Sequence, residues 1–325
     1  MQSFEPYQQV FQNYLLSKTQ VKEPAGLYEP VRYILSQPSK KIRPLLCLLC
    51  CELFDNDWHR ALPQALAVEL FHNFSLLHDD IMDQADLRRG RPSVHSKFGL
   101  NAGILSGDAL LIMTYQYLLQ GLDESDWNHA YTLFNQVSIQ ICEGQQFDID
   151  FERIEEVDEK SYLKMIRYKT GVLIGGAMAL GGIAGGANEI EIQHLFQCGE
   201  HMGIAFQIQD DYLDAFGDES RTGKRSGGDI VQRKKTLLYI QAIARADDRQ
   251  RKVLQGIFSK REPIGSDEVA IVQQMYQDLD LAAICTDVKQ IHFDAGLVSL
   301  RSIERNPKVK DELSKLFTML MNRTS

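Results

Sequence analysis

Proline is scarce in this sequence, nine residues of 325, and alternating polar–apolar runs bounded by turn dipeptides are scarce as well. Both absences argue against a sheet protein, whose strands need a period of two and frequent turns. No apolar run reaches the ~20 residues that a membrane-spanning helix requires. The nearest, GVLIGGAMALGGIAGGA at 171–187, carries seven glycines and reads as a buried helix that lets its neighbours approach closely. A surplus of positive charge is missing too. The formal charge of −9 argues against a nucleic-acid binder working through a basic surface, yet is compatible with a local cationic pocket for small anions. The opening MQSFEPYQQVFQNYLL has no basic stretch leading into an apolar one, so no secretory signal is expected. Six cysteines occur, three of them in RPLLCLLCCELF. No second Cys or His pair with ligand spacing answers that run, so packed thiols in a reducing, cytoplasmic compartment are expected.

What the sequence has in abundance is helical periodicity. From Pro63 to Met82, apolar residues recur at Leu66, Leu70, Phe74, Leu77 and Ile81, the spacing of a helix with a wide buried face. Similar runs cover roughly 101–121, 126–152, 159–185, 189–216 and 231–257. The breaks are RRGRPS (88–93), FGDESRTGKRSGGD (216–229) and REPIGSDE (261–268). The second, long, polar and rich in glycine, reads as a surface loop or a lid. No Pro/Ser-rich linker and no repeat divides the chain. It reads as one all-α domain over 1–325, a single large bundle of long, mostly antiparallel helices around a central cavity, with a looser helical segment from about 258 onward.

Against that apolar background stands LLHDDIMDQADLRRG (76–90). At about 100° per residue, Asp79, Asp80 and Asp83 fall within about 100° of one another on a helix surface. Carboxylates so placed repel unless something neutralises them. FQIQDDYLDAFGD repeats the spacing with Asp210, Asp211 and Asp214, 131 residues further on, too far for a local hairpin. Hard oxygen ligands of this kind suit Mg2+, which keeps several waters and is held by a few carboxylates plus substrate phosphates. The two helices therefore read as two half-sites for a magnesium–diphosphate complex. Cations for such an anion are at hand: Lys40, Lys41 and Arg43 in PSKKIRP, Arg88 and Arg89 after the first motif, Lys169 in RYKTG, and Lys224 and Lys234 beyond the second. Singly each is an ordinary surface charge. Together they suit two diphosphates, Arg binding in bidentate fashion and Lys as a point charge.

These motifs resemble those of the trans-isoprenyl diphosphate synthases, the family of farnesyl and geranylgeranyl diphosphate synthases, over about residues 37–240 and in the family's order. Besides the two aspartate-rich motifs, the resemblance takes in GDALL (107–111), EGQQFD (143–148), YKTG (168–171), TGK (222–224) and the GGDIVQRKKT segment. It implies the isoprenoid synthase fold, a homodimer, and a Mg2+-dependent prenyltransferase with three ions that joins isopentenyl diphosphate to an allylic diphosphate. It also implies that Asp79, Asp83 and Asp210 bind magnesium directly, with Asp80, Asp211 and Asp214 ligating it or holding metal-bound water. Arg88, Lys169, Lys224 and Lys234 would grip the allylic diphosphate, and Lys40, Arg43, His72 and Arg89 the isopentenyl one. Thr170 and Gln207 would stand near the reacting carbons, where an oxygen dipole stabilises a carbocation, and Gln145 and Asp148 would line the same cavity. His72 has a second reading as a satisfied core histidine, and His78 is given no role. The basic motif departs from the family's pattern: Ser39 stands where glycine is usual, and Lys41 where arginine is common.

In this family, side chains below the first motif limit the growing tail. Phe74 and Ser75 lie about one turn before Asp79. An aromatic beside a small residue suggests a partial floor and a short to medium product, geranylgeranyl or farnesyl diphosphate, unless Ile104 or Leu105 on an adjoining helix overrules it. A longer-chain synthase and a non-catalytic regulatory subunit are the alternatives. A class I terpene cyclase would carry a second motif mixing Asn/Asp, Ser/Thr and Glu at wider spacing, which DDYLD does not.

Overall fold

A computed structural model describes residues 4–217, 226–260 and 262–322. In chain order the helices among them are α1 (Glu5–Lys18), α2 (Ala25–Leu35), α3 (Ile42–Glu52), α4 (Leu62–Met82), α5 (Val94–Phe98), α6 (Leu100–Leu118), α7 (Glu124–Phe151), α8 (Glu159–Ile166), α9 (Val172–Ala184), α10 (Glu189–Phe216), α11 (Gly228–Val231), α12 (Leu237–Arg245), α13 (Asp248–Phe258), α14 (Ser266–Asp278), α15 (Leu281–Arg301) and α16 (Pro307–Met321). The all-α reading holds. Among the described residues the only strands are β1 (Leu87–Arg88) and β2 (Arg91–Pro92), an antiparallel pair. Periodicity gave no hint of this hairpin. Its turn residues Arg89 and Gly90 have φ of +54° and +73°, the left-handed pair that a tight two-residue hairpin needs.

Two expected helices are interrupted. The 159–185 run becomes α8, a wide π-type turn over Arg167–Gly171, and α9. The 231–257 run breaks at Ala246, where Asp247 starts α13 through a reciprocal cap: its carboxylate accepts from Gln250 N, and the Gln250 side chain accepts from Asp247 N. Such a cap satisfies helix-end donors and competes well with continuing the helix.

The chain divides into two compact units. The first comprises Met1–Asn135, Gly176–Phe196 and Glu304–Lys310. Its core includes Leu45, Leu48, Leu66, Leu70, Phe71 and Phe134, and Cys47, Cys50 and Cys51 sit there buried and outside any disulfide. The glycines of α9 have a steric reason here. A Cβ on Gly181 would overlap the carbonyl oxygen of Cys47, so only glycine lets this backbone lie so close to α3.

The second unit comprises Gln136–Gly175, Gln197–Ile303 and Asp311–Ser325. Ile204, Ile208, Leu237 and Leu254 share one cluster with Val272, Tyr276, Leu281 and Cys285. The segment expected as a looser appendage after about 258 therefore contributes fully buried side chains to this core.

Candidate active site

Each unit carries one aspartate motif, and each set has its own geometry. In the first unit, α4 brings Glu69, His72, Asn73, Asp79 and Asp80 to one side, with Asp83 capping its C-terminus. Asp79 is half-buried, Asp80 is 1% exposed and Asp83 is exposed. The β1–β2 hairpin folds Arg88 back over Asp80. The Arg88 Nε donates to Oδ1 at 2.8 Å, and Nη2 donates to the same oxygen. Oδ2 of Asp80 is buried without a hydrogen-bond partner. Arg89 and Lys40 are exposed. Arg43 points Nη1 at His72 Nε2, 3.1 Å away, and its Nε is buried without a partner. A guanidinium only donates, so His72 accepts at Nε2 and carries its proton on Nδ1. Desolvation, reinforced by Arg43, Arg89, Lys41 and Arg88, holds this imidazole well below its usual pKa and keeps it neutral. Desolvation also lowers Arg43 to about 10, against the opposing pull of Glu69. Phe74 packs edge-on against Phe71 and His78, and Ser75 Oγ donates to the His72 carbonyl at 2.9 Å.

In the second unit a cleft is lined by Asp148, Lys169, Thr170, Gln207, Asp211, Asp229 and Lys234, among others. The π-type turn, a feature common at functional sites, sets Lys169 and Thr170 side by side on its wall. Lys169 pairs with Asp148. Burial works to raise the Asp148 carboxyl, but Lys169 and Lys234 together overcome it and hold the group below its ordinary value. A chain of hydrogen bonds runs along the wall. Thr170 Oγ1 donates to Gln207 Oε1 at 2.9 Å, and Gln207 Nε2 donates to Asp211 Oδ1 at 2.9 Å. Tyr162, 0% exposed, donates to Asp211 Oδ2 at 2.6 Å. Asp214 is engaged locally, its Oδ2 accepting from Asp229 N at 2.8 Å at the start of α11. Asp210 is half-buried on α10. Gln145, on α7, is buried with neither amide atom partnered. Lys224 lies outside the described residues.

The residues suit a divalent cation. Among the described residues no three carboxylate, imidazole or thiol groups already stand at metal-binding distance of a common point, yet the donor chemistry is right. Asp80 keeps a buried oxygen without a partner, and the cleft of the second unit brings Asp148, Asp211 and Asp229 together on its wall. Burial raises Asp211 to about 6 despite the hydrogen bonds from Tyr162 and Gln207. Burial, with Asp211 and Asp214 nearby, raises Asp229 to about 8. Carboxyls pushed up in this way are short of positive charge.

Three residues escaped the sequence reading. Asp229 stood inside the quoted GGDIVQRKKT segment without being singled out. Tyr162 precedes the π-type turn among ordinary amphipathic neighbours and gives no signal. Glu69 gave one: it sits eleven residues before Asp80, which on a helix is about 20° from the same face, in an otherwise apolar stretch.

A polyprenyl synthetase family model matches residues 24–279. The chain is similar to a geranylgeranyl pyrophosphate synthase of Geoglobus acetivorans, 40% identical over 223 residues, 68% of this chain and 70% of that protein. It is similar also to a short chain isoprenyl diphosphate synthase of Methanocaldococcus jannaschii, 37% identical over 244 residues, 75% of this chain and 74% of that one. A solved structure of geranylgeranyl pyrophosphate synthetase from Pyrococcus horikoshii Ot3 matches with a TM-score of 0.92 at 31% identity, covering 99% of this chain and 97% of that chain. The all-helical fold is thus that of the prenyl synthases. The chain belongs to the polyprenyl synthetase family, and its activity class is that of a short- to medium-chain isoprenyl diphosphate synthase, a trans-prenyltransferase.

Proposed function

We propose that this chain is a cytoplasmic, homodimeric, Mg2+-dependent enzyme that condenses isopentenyl diphosphate with an allylic diphosphate to give geranylgeranyl diphosphate. The observation that carries the reading is the second-unit cleft, where Lys169 and Lys234 stand among Asp148, Asp211 and Asp229 beside the Thr170–Gln207 pair. Magnesium ions, when bound, would neutralise the aspartates and the diphosphate and so favour departure of the pyrophosphate. Asp79, Asp83 and Asp210 would hold them, with Asp80, Asp211 and Asp214 supporting. Arg88, Lys169 and Lys234 bind the allylic diphosphate and stabilise the charge that grows on it as the carbon–oxygen bond breaks. Arg88 and Lys169 first give up Asp80 and Asp148. Lys40, Arg43, His72 and Arg89 hold isopentenyl diphosphate, His72 by fixing the Arg43 guanidinium. Thr170 commits its hydroxyl proton to Gln207, which leaves its oxygen lone pairs to stabilise the allylic cation.

The homodimer is supported by large apolar side chains left open on neighbouring helices of the first unit: Leu105 58%, Ile112 65% and Tyr131 48% exposed. The geranylgeranyl product is supported by the small Ser75 one turn before Asp79 and by the names of the relatives. Radiolabelled isopentenyl diphosphate, offered with dimethylallyl, geranyl or farnesyl diphosphate and Mg2+, tests the proposal by product size. Geranylgeranyl diphosphate from any primer supports it, farnesyl diphosphate alone would discard the floor argument, and no condensation by folded protein would point to a regulatory subunit. Ser75→Phe is expected to shift the product toward farnesyl diphosphate. An unchanged product distribution would show that Ser75 does not face the growing tail.

A further inference from the structure

The basic loop of the first unit contains one lysine that no ligand role uses. Lys41 is withdrawn from solvent, its side chain 8% exposed, with Nζ 2.7 Å from Oε1 of Glu69, which is itself 2% exposed. Asn73 closes the pair from the other side. Its Nδ2 donates to the Glu69 carboxylate at 2.8 Å and to the Glu69 carbonyl at 2.7 Å. The Lys41 backbone is left-handed, with φ of +47°, at the residue that caps α3. A non-glycine residue keeps that conformation only where its surroundings fix it, and here the buried side-chain anchor does so.

The neighbours on either side are the ligand cations. Lys40 is exposed, and Arg43 reaches His72 with its Nε buried and unpartnered. Glu69 and His72 lie one turn apart on α4, so two anchors clamp the loop to one helix face. Opposite charges taken this far out of water add little net stability over an apolar pair, and setting register is the best-attested reason to keep them.

We propose that the Lys41–Glu69 pair is a positioning device: it sets the backbone of residues 39–43 and so aims Lys40 and Arg43 at the diphosphate of isopentenyl diphosphate, which Lys41 itself does not touch. This deepens the proposed function and rests on it for the identity of the anion. It also accounts for lysine where arginine is common, since either cation reaches Glu69.

Steady-state kinetics of Lys41→Met and Lys41→Arg, with each substrate varied in turn, test the proposal. The methionine variant should raise KM for isopentenyl diphosphate by about tenfold or more and leave KM for the allylic substrate within about twofold, and the arginine variant should recover most of the loss. Equal changes in both constants, or a lower melting temperature with both KM values intact, would overturn it. Calorimetric titration with inorganic diphosphate in EDTA decides independently of turnover. Binding about tenfold weaker in Lys41→Met supports positioning, and equal binding overturns it. A wild-type chain without condensation counts against the proposed function alone. Should Lys41→Met fail to fold, the double variant Lys41→Met/Glu69→Gln, which leaves no unpaired buried charge, carries the same comparisons.

Discussion

At the scale of single residues, the wall of the second-unit cleft joins Tyr162, Asp211, Gln207 and Thr170 in one chain of hydrogen bonds. Tyr162 stands at one end of it. Its hydroxyl meets one Asp211 oxygen while Gln207 meets the other. An ionised carboxylate only accepts, so Gln207 presents its nitrogen to Asp211 and its oxygen to Thr170. Tyr162→Phe keeps the ring and removes one donor from a buried carboxylate, a loss of about 1–3 kcal/mol in unfolding free energy. Chemical denaturation should register that loss. Steady-state assays should find kcat lowered and both KM values near those of the wild type, because in the proposed mechanism the slackened Gln207–Thr170 pair would act on the cation and not on the diphosphates. An unchanged kcat would sever Tyr162 from the chemistry.

Elements carry the next level of control. The π-type turn over Arg167–Gly171 puts Lys169 and Thr170 on the cleft wall, and α7 presses close enough that a Cβ on Gly144 would run into the backbone of Tyr168 and Lys169. Backbone cannot yield as a flexible side chain can. Gly144→Ala should therefore displace the turn and cost stability of about 1–3 kcal/mol. It should also lower kcat/KM for the allylic substrate more than it lowers the folded fraction. Full activity in that variant would mean the turn tolerates displacement. Element existence was legible in the sequence because apolar spacing reports which face is buried, and α4, α6, α7 and α10 lie within a few residues of where periodicity placed them. Elements set by local backbone chemistry were not legible. The hairpin depends on left-handed Arg89, the α12–α13 break on one cap, and the π-type turn on packing against Gly144. The same divide runs through the site. Repeated aspartate spacing announces itself, whereas Tyr162 and Asp229 reach the cleft wall only through partners distant in sequence.

For the whole molecule, the buried and crowded carboxylates set a pH dependence of stability. Asp211 and Asp229 are raised in the folded chain from an ordinary 3.8 to about 6 and about 8. The folded state thus binds more protons than the unfolded one over that window, so their contribution is full below about pH 4 and is lost as pH rises through about 6 and then about 8. The metal-free protein should melt at progressively lower temperature across that range. Asp229→Asn should flatten the upper part of the curve, and added Mg2+ should restore the melting temperature at pH 8. A melting temperature indifferent to both would contradict the carboxylate crowding.

The ion pairs Arg88–Asp80 and Lys169–Asp148 have a consequence for selectivity. A bare anion that captures Arg88 or Lys169 strands an aspartate, and a bare cation that captures the aspartate strands the arginine or lysine. Only a ligand arriving with both signs of charge, as a metal-chelated diphosphate does, releases a pair without leaving an orphan behind. At these two pairs the resting protein should therefore favour the chelate over either phosphate or magnesium offered singly.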